Sequence, residues 1–152
     1  MLTFVFKNNK EIKIESENIL CKWSKEICDK SNMSNTINFS KYDIDTFRTI
    51  IRITNIIEKS HDEKDFIMNI KILACMLDEF EIKSALSLIH NIKLVPPKEF
   101  EILSPIPNNG TLSNVIGPIM ANVLSIKKMS RNGNGNKTFN AKETTKLMLQ
   151  II

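Results

Sequence analysis

Cysteine occurs only three times in this 152-residue chain, as Cys21, Cys28 and Cys75, and histidine only twice, as His61 and His90. An odd number of thiols argues against a secreted disulfide framework. A zinc site needs closely spaced ligand pairs, and the sequence has no C-x-x-C. Cys21 and Cys28 fall in one predicted helix, two turns apart on roughly one side, and so on the order of 10 Å apart along its axis, too far to bond each other. They read as buried apolar thiols. His61 sits in the charged loop "SHDEKD", and His90 in "SLIHNIKL" reads as a helix-surface or half-buried residue. No third group or oxyanion loop accompanies a Cys–His pair, so no nucleophilic dyad is predicted.

Glycine is equally scarce, with four in the chain. Two of them lie in "RNGNGNK" (131–137). A phosphate loop needs a preceding strand, a following helix and the GxxxxGK[ST] spacing, all missing here, so the segment reads as a linker. No apolar run approaches the roughly 20 residues that span a bilayer. The start, "MLTFVFKNNKEIKIE", has no basic leader, long apolar core or small-residue cleavage site, so the expectation is an intracellular protein with no membrane partner. Aromatics make up 7%, and Phe139 is the one aromatic of residues 104–152. Without a stacking platform beside the lysines, nucleic acid binding is expected to be weak and nonspecific at most. No catalytic residue, metal or cofactor is predicted, and the chain reads as a non-enzyme.

What is present is an ample core: 42% hydrophobic residues against 25% charged. Ile, Asn and Lys are abundant, as an AT-rich coding sequence such as that of a virus or protist produces. The net charge of +4 is uneven. Residues 104–152 carry Lys127, Lys128, Arg131, Lys137, Lys142 and Lys146 against Glu143 alone. The scattered positions favour a solvated face over a binding patch.

Along the chain, "LTFVF" and "EIKI" alternate in period two, and Asn8-Asn9 between them suits a tight hairpin turn. Ser16 can cap a following helix with Glu17 in its first turn, and Ile19, Leu20, Trp23, Ile27 and Cys28 form its stripe. "NTINF" is a short strand with Ile37 and Phe39 inward. A helix capped by Asp43 or Asp45 follows, with Ile44, Phe47, Ile51 and Ile57 among its apolar residues. Two more helices are predicted, "DFIMNIKILACMLDEF" capped by Asp65 and "EIKSALSLIHNIKL", broken at Glu79 and Glu81. Pro96-Pro97 stop the second. Three sections result: a body over 1–94, a proline-rich connector over 95–110, and a basic, mostly helical extension over 111–152. In the extension, Pro118 suits the first helical position after Gly117. Asn140 and Glu143 have capping-box spacing before a last helix, although "KLMLQII" also suits a strand.

The body reads β-β-α-β-α-α-α, an α+β order. That order, with "ILCKWSKEI" (19–27), "INFSKYDIDTFRTII" (37–51) and "ACMLDEFEIKSAL" (74–86), resembles the BTB/POZ family, to which elongin C and the S-phase-kinase-associated adaptors of cullin ligases belong. Ser24, Phe47, Asp78, Phe80, Ile82 and Leu86 match its pattern. The resemblance covers about residues 1–94. The aromatic-Thr-Gly ending of the family's middle helix is replaced by "ITNIIEK", and the acidic, tryptophan-containing tail that grips F-box proteins is missing. The resemblance implies a protein-binding module, self-associating or holding a cullin or adaptor partner. Leu2, Phe4 and Trp23 are then candidates for exposed apolar anchors, with ordinary core as the competing reading. Phe47 joins them as an interface candidate, within the segment 41–60 where cullin contact falls by analogy. The alternative function is a structural building block of a larger, perhaps viral, assembly, its connector and basic section reaching neighbouring subunits; the protein is then found in a virion rather than the cytoplasm or nucleus.

Overall fold

The computed structural model describes residues 1–16, 18–103 and 110–130, together with Lys146 and Leu149. The loop "SRNGNGN" beyond Ser130, the Asn140–Glu143 capping box, most of the final apolar segment and residues 104–109 of the connector lie outside the described residues.

The fold is α+β: a small sheet built early in the chain and helices that follow it. Strands β1 (Leu2–Val5) and β2 (Glu11–Ile14) form an antiparallel hairpin, with Phe4 opposite Ile12. Asn8 and Asn9 turn it, at φ 63° and 57°. Paired positive φ values are what a two-residue primed turn demands, and Asn tolerates them better than other side chains with a Cβ. Strand β3 (Thr36–Asn38) lies parallel to β1 on its other side, so the order is β2-β1-β3.

Leu2, Phe4 and Phe6 alternate onto one face of β1 and are buried there. Phe4 meets Phe39 edge-on at 5.0 Å and Phe47 at 4.8 Å between ring centroids. Edge and tilted geometries suit the ring quadrupoles and add to the gain from buried area. Phe47 comes from α3 (Ile44–Lys59), whose Ile50, Ile53 and Ile57 continue the same buried stripe. Asp43 caps α3, its carboxylate accepting from the Thr46 amide at 3.0 Å.

The first predicted helix is two. α1 (Ile19–Trp23) is capped by Asn18, not Ser16, and α2 (Lys25–Met33) starts anew after Ser24. Ser24 is extended (φ −110°, ψ 114°) and fully buried. Its hydroxyl accepts from the Ile27 amide at 3.3 Å and donates to the Ile92 carbonyl at 2.7 Å. A tertiary bond to a residue 68 positions away holds the break open. Cys21 and Cys28 thus sit on different helices; Cys21 is buried and Cys28 half-buried.

α4 (Glu63–Met76) is capped by Asp62 rather than Asp65, which lies in its first turn. α5 (Glu79–Asn91) begins with a full capping box: Asp78 accepts from the Glu81 amide at 2.7 Å, and Glu81 accepts from the Asp78 amide at 3.3 Å. Ile82, Ala85, Leu88 and Ile89 form its buried face.

After α5 the chain runs back along the first helices. The Val95 amide donates to the Trp23 carbonyl at 2.9 Å, and Phe100 meets the Trp23 ring edge-on at 4.9 Å. The Leu112 amide then donates to the Leu94 carbonyl at 2.8 Å. α6 (Ser113–Ser130) follows. It begins five residues before Pro118, which lies inside it. A proline there removes one helical hydrogen bond. Burial of Leu112, Ile116, Met120 and Val123 at three- and four-residue spacing outweighs that loss. These residues belong to the same apolar cluster as Phe4 and Ile70, so α6 packs on the body.

Candidate functional site

All four interface candidates lie in the chain's own core. Phe4 and Phe47 are fully buried, Leu2 is 3% exposed and Trp23 8%. The exposure expected of Leu2, Phe4 and Trp23 is therefore corrected. The hydrophobic face of β1 is covered by α3, and Trp23 is covered by the connector through Phe100.

Among the exposed large apolar side chains, which include Met33, Met76 and Met129, Phe80 is the aromatic, 76% exposed at the second position of α5. The capping box fixes this first turn, and Ile82 and Ala85 hold the opposite face in the core, so Phe80 has no inward path. It borders a groove of about 630 Å³ whose other wall is the outer face of α3, with Thr46, Thr49 and Arg52. A second recess, about 380 Å³, continues from Phe80 and Ser84 toward Lys41, Tyr42 and Asp43. A third, about 370 Å³, shares those three residues and ends at the hairpin turn, with Lys7, Asn8 and Lys10. The three form one trough, roughly along the N-terminal half of α3.

The charges in this trough are unequally engaged. Its three carboxylates are tied locally. Asp43 caps α3 and also accepts from the Thr46 hydroxyl at 3.1 Å. Asp45 pairs with Arg48 at 2.9 Å. Glu81 closes the capping box. Lys7, Lys10 and Arg52 make no ion pair among the described residues. Lys41 lies 3.9 Å from Glu26 and 5.0 Å from the centre of the Tyr42 ring. Glu79, beside Phe80, accepts hydrogen bonds from Lys83 and Lys128, which hold its carboxyl below the usual range.

A lysine supports this corner from within. Lys127, only 2% exposed, donates to the carbonyls of Ala74, at 3.3 Å, and of Leu77 at the C-terminal end of α4. Cationic donors at a helix C-terminus satisfy orphan carbonyls and oppose the negative end of the dipole. The same lysine acts on Cys75: burial pushes that thiol's pKa up, and the Lys127 ammonium offsets part of the rise. A thiol so placed stays protonated near neutrality and is a poor nucleophile. His61 and His90 are both exposed. Among the described residues no group of three His, Cys, Asp or Glu side chains could hold a metal ion, and no helix is long and apolar enough to cross a membrane.

Phe80 and Lys127 were both open to detection in the sequence. Phe80 is out of phase with the Ile82–Ala85–Ile89 stripe, the sign of an aromatic on the wrong face of a helix. Lys127 is in phase with Ile116, Met120 and Val123, the sign of a lysine directed inward. No protein-family profile matches the chain, and comparison with curated proteins and with solved structures finds no match either.

Proposed function

We propose that the chain is a non-enzymatic protein–protein interaction module of BTB/POZ type, which self-associates or serves as an adaptor, a cullin ubiquitin ligase being the partner class implied by the resemblance. The observation that carries this reading is Phe80, exposed beside the groove between α3 and α5. Large aromatics at the centre of an interface carry a disproportionate share of binding energy, and Phe80 stands 76% exposed. The α3 wall of the groove, Asp43 to Arg52, falls inside the segment 41–60 expected to meet a cullin. The element order, β-β-α-β-α-α-α with α1 and α2 counted together, is the order on which the resemblance rests.

The building-block alternative relied on residues 95–152 as arms reaching neighbours. Packing of Phe100 on Trp23 and of α6 on α4 holds those parts of the connector and extension on the body, which favours the first reading. The test is light scattering of the full chain, alone and mixed with purified cullin N-terminal domains, for wild type and Phe80→Ser. The expected result is a dimer or a one-to-one complex that Phe80→Ser weakens about thirtyfold without lowering Tm. A wild-type monomer that binds no cullin removes the proposal.

A further inference from the structure

Resting on that reading, we infer that the trough selects a partner segment carrying consecutive carboxylates ahead of an apolar anchor, the carboxylates seated at the hairpin turn and the anchor against Phe80. The hairpin end is a recess lined by Lys7, Lys10 and Lys41. The turn places the first two: Asn8 and Asn9 take left-handed backbone conformations, and Lys7 and Lys10 flank them, both exposed. Lys41 joins from the start of the segment that leads into α3, beside the half-buried Tyr42. The single carboxylate lining this recess, Asp43, already accepts two hydrogen bonds from Thr46. Lys7 and Lys10 thus share the recess with one engaged acid, and Lys41, 3.9 Å from Glu26, adds a partly engaged charge, a field that an incoming anion completes.

The other end differs in kind. Phe80 supplies the one apolar side chain, and the charges around it are of both signs: Asp45 pairs with Arg48, Glu81 and Asp43 are engaged in caps, and Arg52 makes no ion pair among the described residues. The lining therefore changes from lysines with one carboxylate at the hairpin turn to a set of mixed charge around one exposed aromatic at the other end. A peptide with acidic residues at one end and a Leu or Phe at the other matches that gradient. A nucleic acid strand matches it less well, because its unbroken phosphates would run past Asp43, Asp45 and Glu81.

The experiment uses the full-length, isotope-labelled protein and three probes. One is a synthetic twelve-residue peptide with four Glu followed by an apolar anchor. The second is its Gln counterpart, and the third a single-stranded oligonucleotide of equal length. The expected result is that the Glu peptide moves the amide resonances of Lys7–Lys10, Tyr42 and Phe80. The Gln peptide should bind at least about tenfold more weakly, and Lys7→Glu/Lys10→Glu should weaken the Glu peptide by a similar factor, as added salt does. Equal binding of both peptides, no shift at the hairpin turn, or tighter binding of the oligonucleotide would each overturn the inference. The two readings fail separately. If Phe80→Ser abolishes peptide binding while the lysine variant leaves it intact, docking at Phe80 stands and acidic selection falls. If only the lysine variant matters, the cationic recess stands and the role of Phe80 falls.

Discussion

Lys127 costs the fold a desolvated ammonium and returns two hydrogen bonds to the end of α4. Lys127→Met keeps the stem and removes the donor, leaving the Leu77 carbonyl without it and the Ala74 carbonyl with the Leu77 amide at 3.3 Å. An unpaired buried acceptor costs about 1–3 kcal/mol, so the urea midpoint of Lys127→Met should fall well below that of wild type. An unchanged midpoint would mean that the Leu77 carbonyl finds another donor. Cys75 adds a pH dependence of definite sign. Its folded pKa lies above the unfolded value, so its contribution is fully present below about pH 9 and is lost as pH rises through the folded value. Stability measured from neutral to alkaline pH should decline less steeply in Cys75→Ala than in wild type; parallel profiles would show a thiol that titrates alike in both states. These two residues also mark what one-dimensional reading reaches. Counting Lys127 among scattered basic residues assigns it to a solvated face, and its burial corrects that reading; the phase it shares with its apolar neighbours was legible. Its proximity to Cys75, more than fifty residues earlier, was not.

At the scale of elements, Ser24 shows where local signals end. The stripe from Ile19 to Cys28 has helical spacing throughout, and nothing in it announces a break. The break exists because the Ser24 hydroxyl reaches the Ile92 carbonyl. Ser24→Ala should therefore remove a cap and a tertiary bond together, costing about 1–3 kcal/mol by chemical denaturation. Restored stability in that variant would mean that α1 and α2 fuse. By contrast the hairpin was legible, because Asn8-Asn9 turn chemistry is contained in two residues. Helix α3 was legible for a similar reason, with an Asp cap in place before an apolar stripe; the stripe of α5 was legible but its start was not, because Glu79 and Glu81, read as the break, lie in its first turn behind the Asp78 cap. The start of α6 was not: Pro118 points locally to a first turn, whereas the residues that decide the matter, Leu112 and Ile116, gain their value only on meeting the body.

For the molecule as a whole, the ring contacts among Phe4, Phe6, Phe39 and Phe47 join sheet to helices. Phe4→Ala should cost about 3–5 kcal/mol, enough to leave a domain of ordinary stability largely unfolded, read as loss of the cooperative thermal transition. Retention of that transition would show that the cluster can collapse around the gap. The one tryptophan, Trp23, reports on the connector: its emission should shift to longer wavelength in Phe100→Ala, which uncovers the ring without touching the sheet. The meeting of Leu112 with Leu94 has a wider consequence. The polypeptide leaves and returns at a single point, and the helix beyond that point is held by its own apolar stripe rather than by the peptide bonds leading to it. Severing the backbone once between Leu103 and Gly110 should yield two pieces that co-elute, because side-chain burial on either side of the cut, and not chain continuity, keeps them together.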